Sequence, residues 1–220
     1  MENQINPLPI LDVSEAHLPL VILIDNSPNM NKERLDSLDD SLNKFVDTIR
    51  KDEYRSKTID ILRVNVFNSK PIIPKFIPAC MQKSERSKVE NTICVSYDLL
   101  NELIREQVRL YRRCGTPCYK VQMFFFTSNQ GYADSKDILN ISNFCDKSKH
   151  KVNLIGTKEC TPDTFKEDYS SKIILLNDNF SECFDWIKKA YLEEIFYPFA
   201  FEMNGGYTYV PESFMIIKDS

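Results

Sequence analysis

Residues 20–30 read LVILIDNSPNM, and this stretch decides the predicted fold. Its first five residues are apolar without interruption, which is typical of a parallel strand that is buried on both faces. Asp25 then opens a polar loop that contains Pro28. Ligands of open parallel sheets bind beyond the carboxyl ends of the strands, so this loop lies where a binding site is expected.

Predicted helices and strands alternate along the rest of the chain. Apolar residues recur every three or four positions over about residues 32–51, which predicts an amphipathic helix, and a second long helix is expected over about residues 93–113. Further strands are predicted at residues 59–67, 71–77, 121–126, 152–155 and 173–176, and further helices at 134–147, 161–168 and 181–195.

This alternation predicts an α/β fold, namely a three-layer α/β/α sandwich around a doubly wound, mainly parallel sheet. One antiparallel edge strand is expected from residues 71–77, because Pro71 and Pro74 suit an edge. The chain of 220 residues is long enough for one domain, expected at 19–195. Residues 1–18 are interpreted as an N-terminal arm and residues 196–220 as a C-terminal extension.

Composition argues against nucleic acid as a partner, against a membrane span and against a disulfide framework. The net charge of −4 does not favour nucleic acid, and the basic clusters at 83–88 and 147–151 are interpreted as solvated loops. No apolar run approaches the roughly 18 residues that cross a membrane. The seven cysteines are odd in number and scattered, so we expect reduced thiols in a cytoplasm. Cys114 and Cys118 are interpreted as flanking a turn rather than as zinc ligands.

Three polar loops are expected to meet at one edge of the sheet, namely residues 25–30, 90–92 and 127–129. They offer only oxygen donors, which suits a hard cation such as Mg²⁺. They lack a paired nucleophile and base, and both His17 and His150 are interpreted as surface histidines outside the loops. Asp36, Asp39, Asp40 and Asp47 are interpreted as the solvated face of the first helix.

The segment VILIDNSPNM (residues 21–30) resembles the first strand and metal loop of von Willebrand factor A domains, whose pattern is Asp-x-Ser-x-Ser. LRVNVFNSK (62–70) resembles the second strand and hairpin of that family, and FFFTSNQGY (124–132) stands where the family has a strand followed by Thr-Asp-Gly. The segment IILLNDNFSECFDWIKKA (173–190) resembles the bacterial TerY-like branch associated with tellurite resistance. The resemblance implies an intracellular stress-response or defence context.

The resemblance also implies a degenerate metal-ion-dependent adhesion site. Asn29 replaces the family's second serine, Ser128 replaces its aspartate, and Glu90-Asn91 replaces the usual Gly-Gly. With one carboxylate left, we expect Mg²⁺ to bind weakly, or only when a partner donates a further carboxylate. The implied metal ligands are Asp25, Ser27, Asn29, Thr92 and Ser128. The implied partner-binding residues are Asp25, Asn26, Ser27, Asn29, Asn91, Thr92, Ser128 and Asn129. The alternative is a vestigial site in which Asp25 caps nearby backbone N–H groups.

We therefore expect a non-catalytic module that binds a protein partner through these loops, and not nucleic acid, a membrane or a small molecule. One alternative is a metal-free scaffold subunit of a larger complex. Another is a hydrolase, such as a phosphatase whose first strand ends in a nucleophilic aspartate. That enzyme would need a second acid two residues later, where this chain has Ser27.

Overall fold

The computed structural model describes residues 14–67, 74–90, 97–128, 151–160, 171–193 and 211–217. Within them a seven-stranded sheet has the order β3-β2-β1-β4-β5-β6-β7 and is parallel except at its two edges. The strands are β1 Leu18–Ile24, β2 Ile59–Asn65, β3 Ile77–Pro78, β4 Gln122–Thr127, β5 Lys151–Gly156, β6 Ser171–Leu175 and β7 Phe214–Ile217. The helices are α1 Lys32–Arg50, α2 Glu53–Thr58, α3 Tyr97–Cys114 and α4 Phe180–Ile187.

Helices cover both faces of the sheet, and the predicted three-layer α/β/α sandwich is confirmed. Alternate residues of β1 enter different cores, with Ile22 packing on the face of α1 and α4 and Leu23 packing on the face of α3. On the first face the ring centroids of Phe45 and Phe184 lie 5.1 Å apart. Burial on both sides explains why residues 20–24 are apolar without a polar alternation.

Both edges of the sheet carry an antiparallel strand, whereas the sequence predicts one such edge. Strand β3 pairs with β2 at the expected edge, but it consists only of Ile77–Pro78, and residues 74–76 of the predicted strand are not in a strand. The second antiparallel strand, β7, pairs with β6 and comes from the segment interpreted as a C-terminal extension. It is anchored by Phe214, whose ring packs edge-on against Trp186 at a centroid distance of 5.8 Å.

Local signals explain where the long helices begin and end. The Asn31 side chain caps α1 by accepting a 2.9 Å hydrogen bond from the Arg34 N–H. Helix α3 ends at Cys114, and the next residue, Gly115, has a φ of 72°, which lies in the left-handed region. There the Thr116 N–H bonds the Tyr111 carbonyl at 2.9 Å and the Gly115 N–H bonds that of Arg112 at 3.2 Å. This glycine stop agrees with the turn interpretation of residues 114–118.

Other predicted elements differ from the structure or fall outside it. The last predicted helix is shorter, since α4 ends at Ile187 and continues as a π-helical segment, Lys188–Glu193. Helix α2 was not predicted because six residues show no apolar period. The predicted helices at 134–147 and 161–168 and the predicted turn at 68–70 lie outside the described residues. In the described part of the chain, no helix has the length and apolarity needed to cross a bilayer.

One aspartate of α1 is buried, and its interpretation as part of the solvated face is wrong. Asp39 is 0% exposed and pairs with Arg63 of β2, whose Nη2 lies 2.7 Å from Oδ1. The Ser87 hydroxyl and backbone N–H also donate to this carboxylate. The neighbouring Asp40 is exposed and pairs with Arg86, so the basic cluster at 83–88 lies along α1.

Candidate functional site

Asp25 joins the ends of the two central strands. It follows β1 directly, and its N–H bonds the carbonyl of Phe126 in β4 at 2.9 Å. Its Oδ1 accepts the Ser27 N–H at 3.0 Å, and its Oδ2 accepts the Thr127 hydroxyl at 2.7 Å. The loops after β1 and β4 therefore meet at the carboxyl edge of the sheet, where parallel α/β proteins bind ligands.

The Asp25 carboxylate is buried without a counter-charge in the described part of the chain. The residue is 1% exposed, and both groups that donate to it are neutral. None of the ion pairs found among residues 14–67, 74–90, 97–128, 151–160, 171–193 and 211–217 involves Asp25. A buried, unpaired carboxylate is costly, so this position would gain from a cation.

Two buried hydroxyls near Asp25 have no hydrogen-bond partner among the described residues. Ser27 is 0% exposed and Ser128 is 2% exposed, and the Oγ of each is unpaired within that part of the chain. Ser27 lies in the Asp25 loop, and Ser128 follows the threonine that donates to Asp25. Because buried polar groups normally have partners, the two oxygens are available to a ligand.

Asn26 ties three backbone segments together. Its Oδ1 accepts the Phe67 N–H at 2.8 Å, while its Nδ2 donates at 2.6 Å to the carbonyls of Phe67 and Lys88. Its own carbonyl accepts the Glu90 N–H at 2.9 Å. The side chain predicted to contact a partner is buried and positions the loops after β1 and β2 instead.

The remaining predicted site residues divide into one exposed position and three outside the described residues. Asn29 is exposed at the tip of the loop, next to the exposed Pro28. Asn91, Thr92 and Asn129 fall outside the described part of the chain. Glu90, which the Asn26 bond holds beside the first loop, directly precedes Asn91 and Thr92 in the sequence.

The structure adds residues at the ends of β4 and β5 that the sequence analysis did not single out. Thr127 donates to Asp25, and its carbonyl accepts the Thr157 N–H at 3.0 Å. The Cys160 Sγ lies 3.6 Å from the same carbonyl, and burial raises the pKa of this thiol to about 11. A signal was present, since Thr127 and Thr157 lie one and two positions beyond predicted apolar strands.

Arg34 fastens the rim of the site. Its Nε donates to Asp178 Oδ2 at 2.9 Å, and its Nη1 donates to Glu159 Oε2 at 2.9 Å. Asp178 has a φ of 55° and also accepts the Lys158 N–H at 2.8 Å. The hydrogen bond from Arg34 holds the pKa of Glu159 below its usual range. One guanidinium in the first turn of α1 therefore holds the segments that follow β5 and β6.

The donor set at Asp25 fits a weakly held Mg²⁺. The fit rests on the two unpaired buried hydroxyls and on a carboxylate that can accept further partners, since its two oxygens offer about four lone-pair sites. The described residues contain no cluster of three or more His, Cys, Asp or Glu side chains with metal-binding geometry. Asp25, Ser27 and Ser128 would thus hold the ion with one negative charge, which keeps affinity low.

Comparisons with known proteins give limited similarity. No family model matches the chain, and no curated protein matches it. Solved structures that match include the pilus adhesin SpaC from Lactobacillus rhamnosus GG in its open conformation, with 12% identity and a TM-score of 0.46 over 65% of this chain and 24% of that protein. Proximal thread matrix protein 1 from the mussel byssus matches with 13% identity and a TM-score of 0.49 over 79% of this chain and 47% of that protein. The chain covers less than half of either protein, and similarity at this level carries no functional argument.

Proposed function

We propose that this chain is a non-catalytic protein-interaction module of the von Willebrand factor A type, in the TerY-like branch, that binds a protein partner through the loops after β1 and β4. The observation that carries the proposal is the buried Asp25 carboxylate, which within the described segments has only neutral donors and lies beside two serine hydroxyls that are unpaired there. Such an arrangement favours a positively charged occupant.

In this proposal Mg²⁺ binds to Asp25, Ser27 and Ser128, with Asn29 of the first loop as a further donor and Thr92 as the additional donor that the family resemblance implies. Because Asp25 supplies the single carboxylate, the ion binds weakly until a partner adds a second one. The exposed Asn29 is then a point of direct contact with the partner, while the buried Asn26 keeps the loop in position. The cation supplies an electrostatic bridge between the two proteins.

The sequence resemblance supports a cytoplasmic setting for this interaction, in a stress-response or defence system of the kind associated with tellurite resistance. The partner is then an intracellular protein that presents an Asp or Glu side chain. A hydrolase is disfavoured, because Ser27 offers a hydroxyl where a phosphatase of this type would need an acid.

A second candidate function is a metal-free scaffold subunit of a larger complex. The observation that favours it is that both oxygens of Asp25 already accept hydrogen bonds from within the chain. In that case Asp25 serves to join β1 to β4, and partners dock elsewhere on the molecule.

Titration of Mg²⁺ and Mn²⁺ into the full chain, followed by calorimetry, separates these functions. We expect weak binding that Asp25→Asn abolishes, because the amide removes the charge with little change in shape. Asp47→Asn is the matched control, since Asp47 is exposed at the other end of α1. Binding that is equal in both variants, or none even with an acidic partner peptide present, contradicts the metal-dependent proposal.

The partner is sought by affinity capture from the native cell, in Mg²⁺ and in chelator. The proposal requires a protein that is retained by the unchanged chain and by Asp47→Asn in Mg²⁺, and that is lost with Asp25→Asn and with chelator. A protein retained equally under all of these conditions supports the scaffold function instead.

A further inference from the structure

A buried polar cluster lies at the amino edge of the sheet, opposite the candidate site. It consists of His17, directly before β1, together with Asp60 of β2 and Tyr111 near the end of α3. His17 is 1% exposed, so its interpretation as a surface histidine is wrong. The proposed interaction function uses none of these side chains.

The hydrogen bonds of this cluster orient the imidazole ring of His17. Asp60 Oδ2 lies 2.7 Å from His17 Nδ1 and also accepts the Tyr111 hydroxyl. Burial, followed by the nearby Asp60 charge, raises the pKa of Tyr111, so its phenol keeps the proton that it donates. Because a carboxylate only accepts, Nδ1 of His17 carries the proton of this hydrogen bond.

The Nε2 of His17 is buried and has no hydrogen-bond partner among the described residues, Cys118 Sγ included, so the thiol must turn toward the ring before it can lose its proton. The two ring nitrogens point in largely opposite directions. Since Nδ1 faces Asp60 on β2, Nε2 faces away from that strand. A buried imidazole that a carboxylate orients through one nitrogen, with the other left unpaired, has the arrangement of a general base.

Cys118 lies on the other side of β1 from Asp60, in direct register with His17. The His17 N–H bonds the Pro117 carbonyl at 2.9 Å, and the Tyr119 N–H bonds the His17 carbonyl at 2.8 Å. These bonds make His17 and Cys118 partners in a parallel bridge, so their side chains project from the same face of the sheet. The thiol of Cys118 is free and the residue is exposed.

We propose that Cys118 is a reactive thiol, with His17 as its base and Asp60 as the residue that positions the imidazole, and that it forms mixed disulfides with small disulfides. His17 Nε2 takes the Sγ proton, and the thiolate attacks one sulfur of the small disulfide. A new S–S bond forms as the old one breaks, and the departing thiolate takes the proton back from His17. One thiol and one disulfide are consumed, and one thiol and one mixed disulfide are produced.

The other described cysteines differ from Cys118 in ways that give the test its controls. Cys160 and Cys183 are buried, which raises the pKa of each thiol and keeps it protonated and shielded. Cys80 and Cys114 are exposed like Cys118, but both lie outside the bridge with His17, Cys80 in the short helical turn after β3 and Cys114 in the last turn of α3. Cys114 is therefore the matched control for an exposed thiol without the base.

The experiment treats the full chain at pH 7 with bis(2-hydroxyethyl) disulfide, a neutral small disulfide, and measures adduct formation at each cysteine by peptide mass mapping. We expect Cys118 to react at least about tenfold faster than Cys114, a modest effect for a positioned base. In urea, where the cluster is lost, the two rates should become equal. A ratio below tenfold in the folded chain overturns the proposal.

His17→Asn tests the base directly, because the amide can still donate to Asp60 but has no counterpart of Nε2. We expect the rate at Cys118 to fall to that at Cys114, with Cys114 itself unchanged. An unchanged ratio in the folded variant overturns the proposal. If His17→Asn does not fold, the ratio of the Cys118 rate to the Cys114 rate in the unsubstituted chain decides whether the proposal stands.

Discussion

The guanidinium of Arg63 lies 2.7 Å from the carboxylate of Asp39, and this ion pair joins β2 to α1 beneath the surface. Breaking a buried pair leaves one charge unpaired. We expect Asp39→Ala to lower the free energy of unfolding by roughly 3–5 kcal/mol, measured by urea denaturation. Asp40→Ala is the control, since Asp40 and Arg86 are both more than half exposed and should contribute less than about 1 kcal/mol. Equal losses in the two variants would show that the Arg63 pair adds nothing.

Replacement of Asn26 by alanine should weaken three segments together. The change removes hydrogen bonds to both backbone groups of Phe67 and to the Lys88 carbonyl. Leaving buried backbone groups unsatisfied should cost roughly 2–4 kcal/mol in the free energy of unfolding. Asn43→Ala provides the comparison, because Asn43 makes one exposed hydrogen bond of 3.4 Å and should cost under about 1 kcal/mol. A small loss for Asn26→Ala would mean that water replaces its amide.

Replacement of Ser27 should change Mg²⁺ binding without lowering the stability of the fold. Its hydroxyl has no partner within the described part of the chain, so Ser27→Ala should leave the urea midpoint unchanged or raise it. The same change should weaken Mg²⁺ binding in calorimetry. Thr127→Val, in contrast, should lower stability. It removes the hydrogen bond to the Asp25 carboxylate, which should cost about 1.5–3 kcal/mol in the free energy of unfolding. A large loss of stability in Ser27→Ala would indicate a structural role for that hydroxyl.

Stability should fall in alkaline solution because buried thiols must ionise. Burial raises the pKa of Cys160 from its ordinary 9.0 to about 11, so the folded state retains a proton that the unfolded chain releases. This contribution is fully present below pH 9 and is lost as the pH rises from 9 toward 11. Urea midpoints measured across that range should decline less steeply in Cys160→Ser. The exposed Cys114 is the control, and a slope changed equally by Cys114→Ser would refute the assignment.

Gly115 should resist substitution for a purely conformational reason. Its φ of 72° disfavours any L side chain, while a Cβ there would meet no atom within 4 Å. We therefore expect Gly115→Ala to cost about 1–2 kcal/mol without crowding, as a left-handed residue does. Gly115→Asn should recover part of the loss, because Asn tolerates this conformation better. If Gly115→Ala has the same urea midpoint as the unsubstituted chain, the end of α3 adopts another backbone conformation without cost.

The sequence predicts the central strands well because burial on both faces leaves a strong local signal. The apolar runs before Asp25 and Thr127 locate β1 and β4, and the polar residues after them locate the carboxyl edge. The role of β7 was missed, since four residues are too few to show a period that marks a sheet edge. Pairing with β6 is a tertiary effect that local propensity does not encode.

Within the site, the sequence located Asp25 but not its partners. That Thr127 donates to Asp25 follows from the register of β1 on β4, which composition does not reveal. Asp39 could have been identified, because it lies four residues after Leu35 and three before Leu42, on the buried stripe of α1. Asp39 was assigned to the solvated face because it is charged, although its position is on the apolar stripe of the helix. His17 was misread for a different reason, namely that its partner Asp60 lies 43 residues away in the chain.

The guanidinium of Arg34 forms ion pairs with two loops, and the two carboxylates differ in their exposure to solvent. The Glu159 side chain is 49% exposed, whereas that of Asp178 is 15% exposed. Ionic strength screens exposed pairs far more than sheltered ones. Concentrated salt should therefore release the segment after β5 first and leave the one after β6 attached. The rim of the site would then loosen in a fixed order, with its β6 side remaining as the anchor.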